Sequence, residues 1–295
     1  MNEKRKQAIL IMCHEDFYIL EKTLAILDNE KIDFFIHVDS KVKDFDFEKI
    51  KNISKKSNVF FTDRMNVIWG SYSQIEVELK LIKEALKKDN YLYLHLISGI
   101  DLPLKKCDEF IKYFEDNYPT EYVEYLLYDD IDKNYLDRVK YYHFIGNKFR
   151  NDNSVRLEHN KYIKLQKYLE IDRTKNKNIQ FRKGANWFSI TSELAKYILT
   201  KEDFIDEVFS YGYCVDEMFL QTILYSSEFF NNVCRKYDNV VLNCMRLIDW
   251  NRGIPYVYRK SDYNELMSSD AMFARKFSTI IDKEIIDMIY DELKQ

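Results

Sequence analysis

Glycine and proline are scarce in this 295-residue chain, six and three respectively, whereas tyrosine and phenylalanine number 23 and 20. That composition excludes collagen-like repeats, a Pro-rich linker and low-complexity disorder. No apolar run approaches the roughly 20 residues of a membrane span. The first such run, Ala8 to Met12, is short and follows a charged segment, so no signal peptide or anchor is visible and a cytoplasmic protein is expected. The five cysteines (Cys13, Cys107, Cys214, Cys234, Cys244) are odd in number and scattered, with no C-x-x-C and no Cys/His cluster. They read as reduced core thiols rather than a zinc site or a disulfide framework. G-x-G-x-x-G, G-x-x-x-x-G-K-[ST] and H-E-x-x-H are all missing, which removes the dinucleotide fingerprint, the P-loop and the zincin helix.

What is present is a soluble, core-forming composition, 46% hydrophobic and 32% charged. The length suits one large or two small domains, and no shift in composition marks a boundary, so a single domain over 1–295 is expected, with a nucleotide-binding half (1–120) and an acceptor or catalytic half (121–295). Short apolar runs alternate with helical periodicity in the first third. Strands are predicted at Ala8–Met12, Phe34–Val38, Val59–Phe61 and Tyr91–Ile97, and helices at Asp16–Leu27, Phe47–Ile53, Ser71–Leu86 and Asp108–Asn117. Ile75, Leu79, Ile82 and Leu86 fall on one helix face. This β-α-β alternation implies a mostly parallel central sheet flanked by helices, a nucleotide-binding α/β fold. Further on, Tyr122–Leu127 reads as strand-like, Ile179–Thr191 as strand, turn and strand, and Ser192–Leu199, Glu217–Ser226 and Lys283–Leu293 as helices.

The most informative stretch is Leu96 to Lys105, where an apolar run ends in Ser98-Gly99-Ile100-Asp101-Leu102-Pro103. A buried strand delivering a polar loop to its carboxyl end is where open α/β sheets place ligands. Phe34 to Asp39 repeats the arrangement, so two strands finishing in an Asp suggest one shared ligand edge. For either Asp alone, an Asx turn is the ordinary explanation.

Asp216 and Glu217 precede an apolar helix, where capping and the helix dipole account for them; the functional alternative is Glu217 as a general base. In Phe273-Ala274-Arg275-Lys276-Phe277 two cations sit between aromatics, suited either to solvent or to the charge building on a departing nucleoside diphosphate. Two D-x-D tripeptides, Asp44–Asp46 and Asp130–Asp132, follow no clear strand and read as helix starts or turns. The histidines show no close pairing in sequence and read as structural. Between Arg138 and Lys183 there are 13 Lys and Arg against four acids, on a chain of net charge −4. Such asymmetry fits an anionic partner or a solvated basic face; nucleic acid is disfavoured, since no known binding module is present.

In order, Ile36–Lys41, Arg64, Val67–Ser73, Ser98–Lys105, Lys183–Phe188, Asp216-Glu217, Arg246–Trp250 and Phe273–Phe277 resemble the core-2/I-branching β-1,6-N-acetylglucosaminyltransferase and peptide xylosyltransferase family, glycosyltransferase family fourteen, in a bacterial-type short form. The collinear set covers nearly the whole chain. The resemblance implies a GT-A-like Rossmann-type fold, a UDP-sugar donor, inversion at the anomeric carbon and no metal cofactor. Carried over by position, Glu217 is the base on the acceptor hydroxyl and Lys276 neutralises the diphosphate, assisted by Arg252 or Arg259. Asp39 and Arg64 fall at the donor's uridine or ribose, and Ser98, Gly99, Asp101, Trp187 and Asp216 line the sugar and acceptor pocket. The animal members' anchor, stem and disulfides have no counterpart here, so a Golgi location is not implied.

The expected activity is transfer of N-acetylglucosamine, a related sugar or xylose to a glycan hydroxyl or a lipid-linked acceptor during bacterial surface polysaccharide or glycoconjugate synthesis. The segment 138–183 is expected to touch the anionic inner face of the cell membrane. Rival expectations are a non-catalytic sugar-nucleotide or glycan-binding protein of the same fold, and a metal-dependent transferase using Asp130 and Asp132.

Overall fold

A computed structural model describes residues 5–126, 134–175, 177–237 and 240–294. Asp130 and Asp132 lie outside the described residues.

The apolar runs of the first third fold as β1 (Gln7–Cys13), β2 (Ile32–Val38), β3 (Asn58–Phe61) and β4 (Tyr93–Ser98), with α1 (Phe17–Ile26), α2 (Phe47–Lys51) and α3 (Ser73–Lys88) between them. β1 pairs in parallel with both β2 and β4, and β2 with β3. Strands covered on both faces are apolar throughout, which is why these segments read as continuous runs. Side-chain alternation splits them between two cores. Ile9, Ile11, Phe34 and Ile36 face one, Ala8, Leu10, Phe35 and Leu96 the other.

Beyond β4 come β5 (Leu102–Pro103), α4 (Cys107–Asp116), β6 (Tyr122–Val123), α5 (Asp137–Lys140), α6 (Asn153–Tyr168), β7 (Phe188–Thr191), α7 (Ser192–Leu199) and α8 (Glu202–Phe209). A short 3-10 turn, Val215–Glu217, leads into α9 (Phe219–Tyr225); β8 (Arg246–Ile248), α10 (Tyr263–Ser268), β9 (Phe273–Arg275) and α11 (Thr279–Lys294) complete the chain. The main sheet runs β3-β2-β1-β4-β7-β6, with β7 antiparallel to both its neighbours β4 and β6. A second sheet, β5-β9-β8, joins the loop after β4 to the far end of the sequence. Helices α1, α4 and α11 cover one face of the main sheet, while α3, α7, α8 and α9 cover the other.

Arg246 ties the two sheets together. Fully buried, it donates to Ser189 Oγ at 2.8 Å and to the Leu96, Phe188 and Cys244 carbonyls at 2.9, 2.5 and 2.6 Å. Burial depresses its pKa to about 10, against the weaker pull of Cys244 and Asp101.

Three expectations change. Only Phe188–Thr191 of the predicted strand-turn-strand is a strand. The residues before it spend their backbone groups on side-by-side packing, Gly184 N–H to the Glu217 carbonyl (3.0 Å) and Arg182 N–H to Thr222 Oγ1 (3.1 Å). Of Tyr122–Leu127, only Tyr122–Val123 pairs in the sheet; Leu127 lies outside the described residues. Finally, His143 and His159 do meet, Nδ1 to Nε2 at 3.0 Å, a pairing that folding alone creates.

No cysteine forms a disulfide, and all but the half-buried Cys107 are buried, as expected of core thiols. Among the described residues no helix is long and apolar enough to cross a membrane.

Candidate functional site

The order of strands in the main sheet reverses between β1 and β4, and loops at such a switch point form a crevice at the strands' carboxyl ends. Here the loop after β4 lies against the end of β1. Gly99 N–H bonds the Met12 carbonyl at 2.9 Å, and a Cβ on Gly99 would fall 2.5 Å from Cys13 Cβ. Only glycine permits that approach. The Asp39 loop joins from the other side, its N–H bonding the Cys13 carbonyl at 3.0 Å.

Asp39 builds an Asx turn, Oδ1 accepting from Lys41 N–H at 2.8 Å and Oδ2 from Val67 N–H at 3.2 Å. Burial would raise its pKa, but these bonds and the Lys41 ammonium at 2.9 Å bring it below the usual carboxylate value. Arg64 does not face the crevice as a free cation. Its guanidinium donates to the carbonyls of Val38, Asp39 and Val42 and braces the loop. Both residues therefore shape this edge.

Ser98 and Asp101 are locked together and to the end of the chain. Asp101 accepts from Ser98 N–H at 2.9 Å, from Ser98 Oγ at 2.6 Å and from Arg275 Nη1 at 2.8 Å, and Arg275 also donates to Ser98 Oγ. The same guanidinium sits over the Trp187 ring, 4.5 Å from its centroid. Phe277 N–H bonds the Ile100 carbonyl at 3.1 Å, so β9 delivers Lys276 to this edge.

Lys276 is half-buried, and its ammonium has neither a hydrogen bond nor an ion pair among the described residues. Burial, then the charges of Arg275 and Arg150, hold its pKa below that of an ordinary lysine; Glu15 opposes them weakly. Three cations thus gather, and Asp101 balances only Arg275 among them, so the surface around Lys276 suits an anion. Arg252 is not in that set. Asp249, Asp262 (2.9 Å) and Glu265 (2.8 Å) engage it, so its charge is already balanced. Arg259 is exposed and forms no ion pair among the described residues.

Glu217 lies in the 3-10 turn before α9, and a break at Met218 separates it from the helix. The expected cap is therefore absent, with no capping bond from either carboxylate. Instead Glu217 Oε2 accepts from Arg138 Nη1 at 2.6 Å and lies 3.6 Å from Lys183 Nζ, and the side chain stays about one-third exposed. Gly184 fixes its backbone at such close range that a Cβ there would fall 1.9 Å from the Glu124 carbonyl oxygen. A half-exposed carboxylate held in one orientation by two cations is placed to take a proton.

Asp216 points the other way. It is buried, with Oδ2 accepting from Gln74 Nε2 at 2.8 Å and Oδ1 unpartnered. Burial, and then the Glu217 charge, raises its pKa to about 7. Beside it Glu78 is fully buried, and burial, then the Asp216 charge, push its pKa well above the ordinary carboxylate value against the opposing bond from Asn186.

Because their raised pKa values let these carboxyls keep protons in the folded state that they release when unfolded, the resulting stability is complete below about pH 4 and declines as pH rises, for Asp216 through about 7. Glu78→Gln, which mimics the protonated form, should melt a few degrees above the native chain at pH 7.5 and no higher at pH 4. An equal offset at both pH values would show that Glu78 is already ionised.

Two chains of contacts connect the Glu217 and Lys276 regions. Trp187, under Arg275, belongs to the segment whose Gly184 holds Glu217; Arg150, beside Lys276, lies 5.3 Å from the ring of Trp69, which meets Tyr213 edge-on at 6.0 Å. Tyr213 N–H in turn bonds the carbonyl of Arg138, the partner of Glu217. Two cavities of about 360 and 400 Å³ lie elsewhere, lined by residues such as Arg173 and Tyr211 and by Tyr113 and Asn232 respectively.

Arg138, Lys183, Arg150 and Glu78 escape sequence reasoning. Arg138 and Arg150 carried a signal only as part of the basic stretch, Lys183 also as the first residue of a segment resembling the family, and Glu78 only as a charge on the inner face of α3, where Val77 and Ile82 are also buried. Asp46 of Asp44–Asp46 caps α2, accepting from Lys49 N–H at 2.9 Å. No group of three His, Cys, Asp or Glu residues able to hold a metal occurs among the described residues.

The chain resembles known proteins over most of its length. It is 24% identical to xylosyltransferase 2 of Rattus norvegicus over 92% of this chain and 31% of that protein, so it spans about a third of that relative. With the human beta-1,3-galactosyl-O-glycosyl-glycoprotein beta-1,6-N-acetylglucosaminyltransferase it shares 22% identity over 97% of this chain and 69% of that one. Among solved structures, mouse xyloside xylosyltransferase 1 in its apo form aligns over 91% of this chain and 96% of that chain, with a TM-score of 0.41 and 9% identity. The Core-2/I-Branching enzyme profile matches residues 8–270, and the chain belongs to that family.

Proposed function

We propose that this protein transfers a sugar, N-acetylglucosamine or xylose, from a UDP-sugar to a glycan hydroxyl, with inversion and without a metal, in the synthesis of a surface polysaccharide or glycoconjugate. The features that support the reading are the accessible, cation-held carboxylate of Glu217 and the ammonium of Lys276, which has no ion pair among the described residues and lies in the field of Arg275 and Arg150. Family membership supports it, as do the sugar transferases among the relatives.

In this mechanism the acceptor oxygen attacks the anomeric carbon while Glu217 takes its proton. The bond from that carbon to the diphosphate oxygen breaks on the opposite face, and the cations offset the charge left on UDP. Trp187 offers an aromatic face to the sugar, and the bonded Ser98–Asp101 loop fixes the pocket floor.

The test is UDP release from a panel of UDP-sugars, with and without acceptor glycans, in buffer containing EDTA. Acceptor-dependent release that survives EDTA is the expected result. Release abolished by EDTA and restored by a divalent cation would remove metal independence, and donor binding without release would favour a sugar-nucleotide-binding protein.

A further inference from the structure

We propose that α6 is a docking surface for an anionic lipid membrane. The helix spans sixteen residues and buries only Gln166. Its inner side is fixed: Gln166 bonds Tyr142 through both N–H (2.8 Å) and carbonyl (2.9 Å), and His159 bonds His143 and packs edge-on against Phe149 at 5.0 Å.

The outer side carries large apolar groups with nothing over them. Leu157 is 62% exposed, Leu165 51%, Tyr168 83% and Leu169, just past the helix end, 56%. Successive turns of the same face present Lys161 and Lys164, neither in an ion pair among the described residues. Along the helix Arg156, Lys161, Lys164 and Lys167 stand against a single acid of its own, Glu158, with Lys167 paired to Asp137 at 2.6 Å.

An ordinary solvated helix face has no use for this mixture, because each exposed leucine orders water without gain. A lipid headgroup region accommodates it. Leucines enter the acyl boundary, a tyrosine sits at the interface, and lysines extend along their stems to anionic phosphates. Charge selects this occupant over a protein partner, since protein interfaces are depleted in lysine.

The placement also serves the neighbouring site. His159 faces Tyr213, which also meets Trp69 on the rim that holds Arg150. A membrane bound on the outer side of α6 therefore lies about one helix diameter from the segment bordering the Lys276 cations, within reach of a lipid-borne acceptor. Docking goes beyond the sugar-transfer reading and does not depend on it.

The experiment is co-sedimentation of the full chain with vesicles of phosphatidylcholine alone or mixed with phosphatidylglycerol. Binding to the anionic vesicles only, reversed by added salt, is expected. The double variant Lys161→Gln/Lys164→Gln should bind about 25-fold more weakly, roughly fivefold per lysine. Leu165→Ser/Tyr168→Ser should also bind weakly while keeping the native melting temperature. Equal pelleting with neutral vesicles, no pelleting, or binding untouched by the lysine changes would overturn the proposal, as would lipid-free self-association that Leu165→Ser/Tyr168→Ser abolishes. Glu217→Gln should bind vesicles like the native chain, and an active transferase that ignores vesicles overturns docking alone.

Discussion

Glu217→Gln is expected to lower sugar-transfer turnover by roughly 10²–10⁴-fold or more and to leave UDP-sugar binding within about twofold. The change swaps one oxygen for an amide and keeps the shape of the side chain. Glutamine still offers an acceptor to Arg138 and Lys183, so the turn from Val215 to Glu217 has no reason to rearrange. What disappears is the capacity to take a proton from the acceptor hydroxyl. Turnover should fall with KM for the donor unchanged, since the lost interaction belongs to the transition state. The measurement is UDP release under saturating acceptor, paired with a donor titration on the inactive protein. Native turnover in this variant would remove Glu217 from the chemistry, and a matching loss of donor binding would make it a structural residue.

Lys276→Ala should lower turnover by roughly 10²–10³-fold, the usual loss when a group stabilising developing charge is removed, and should weaken UDP binding as well. Lys276→Arg should recover part of both, because a guanidinium also meets phosphate oxygens. The environment of this lysine adds a pH signature. Burial, Arg275 and Arg150 all favour its neutral form, so activity should decline on the alkaline side earlier than for an ordinary lysine. Arg150→Met removes one of the repelling charges and should move that decline to higher pH, even though it takes a cation from the site. An alkaline limb that stays in place in Arg150→Met, or is unchanged in Lys276→Arg, would show that another group sets it.

The amino-terminal third was legible because its signals are local. A strand such as Phe34–Val38 is an apolar run, and α3 is a periodic one, wherever they end up in space. The second sheet was not legible. β5 is a two-residue strand, and its pairing of Leu102 with Ala274 joins segments too short to carry a pattern and far apart in the chain. Asp216 and Glu217 show the same limit from the other side. Capping was the sound local explanation, and what defeats it is the break at Met218, which turns the buried Asp216 carboxyl toward Gln74 and its neighbour toward Arg138.

The resemblance picked out Glu217 and Lys276 but not their surroundings. Arg275 looked like a solvated partner of Lys276, yet it is the clasp between Asp101 and Trp187. Arg150 belonged to a diffuse basic stretch and became specific only when folding placed it against Trp69. Arg252 was an equal alternative until Asp249, Asp262 and Glu265 closed around it.

By itself the sequence determined the α/β alternation, the mostly parallel sheet and the carboxyl edge at which Asp39 and Asp101 sit, since hydrophobic period and strand-end turns are written within a few neighbouring residues. Tertiary structure alone decided which charges are balanced and which remain available. Electrostatic pairing depends on the distance and burial that folding sets between residues, from three positions apart for Asp249 and Arg252 to 174 for Asp101 and Arg275, and no local pattern encodes either quantity.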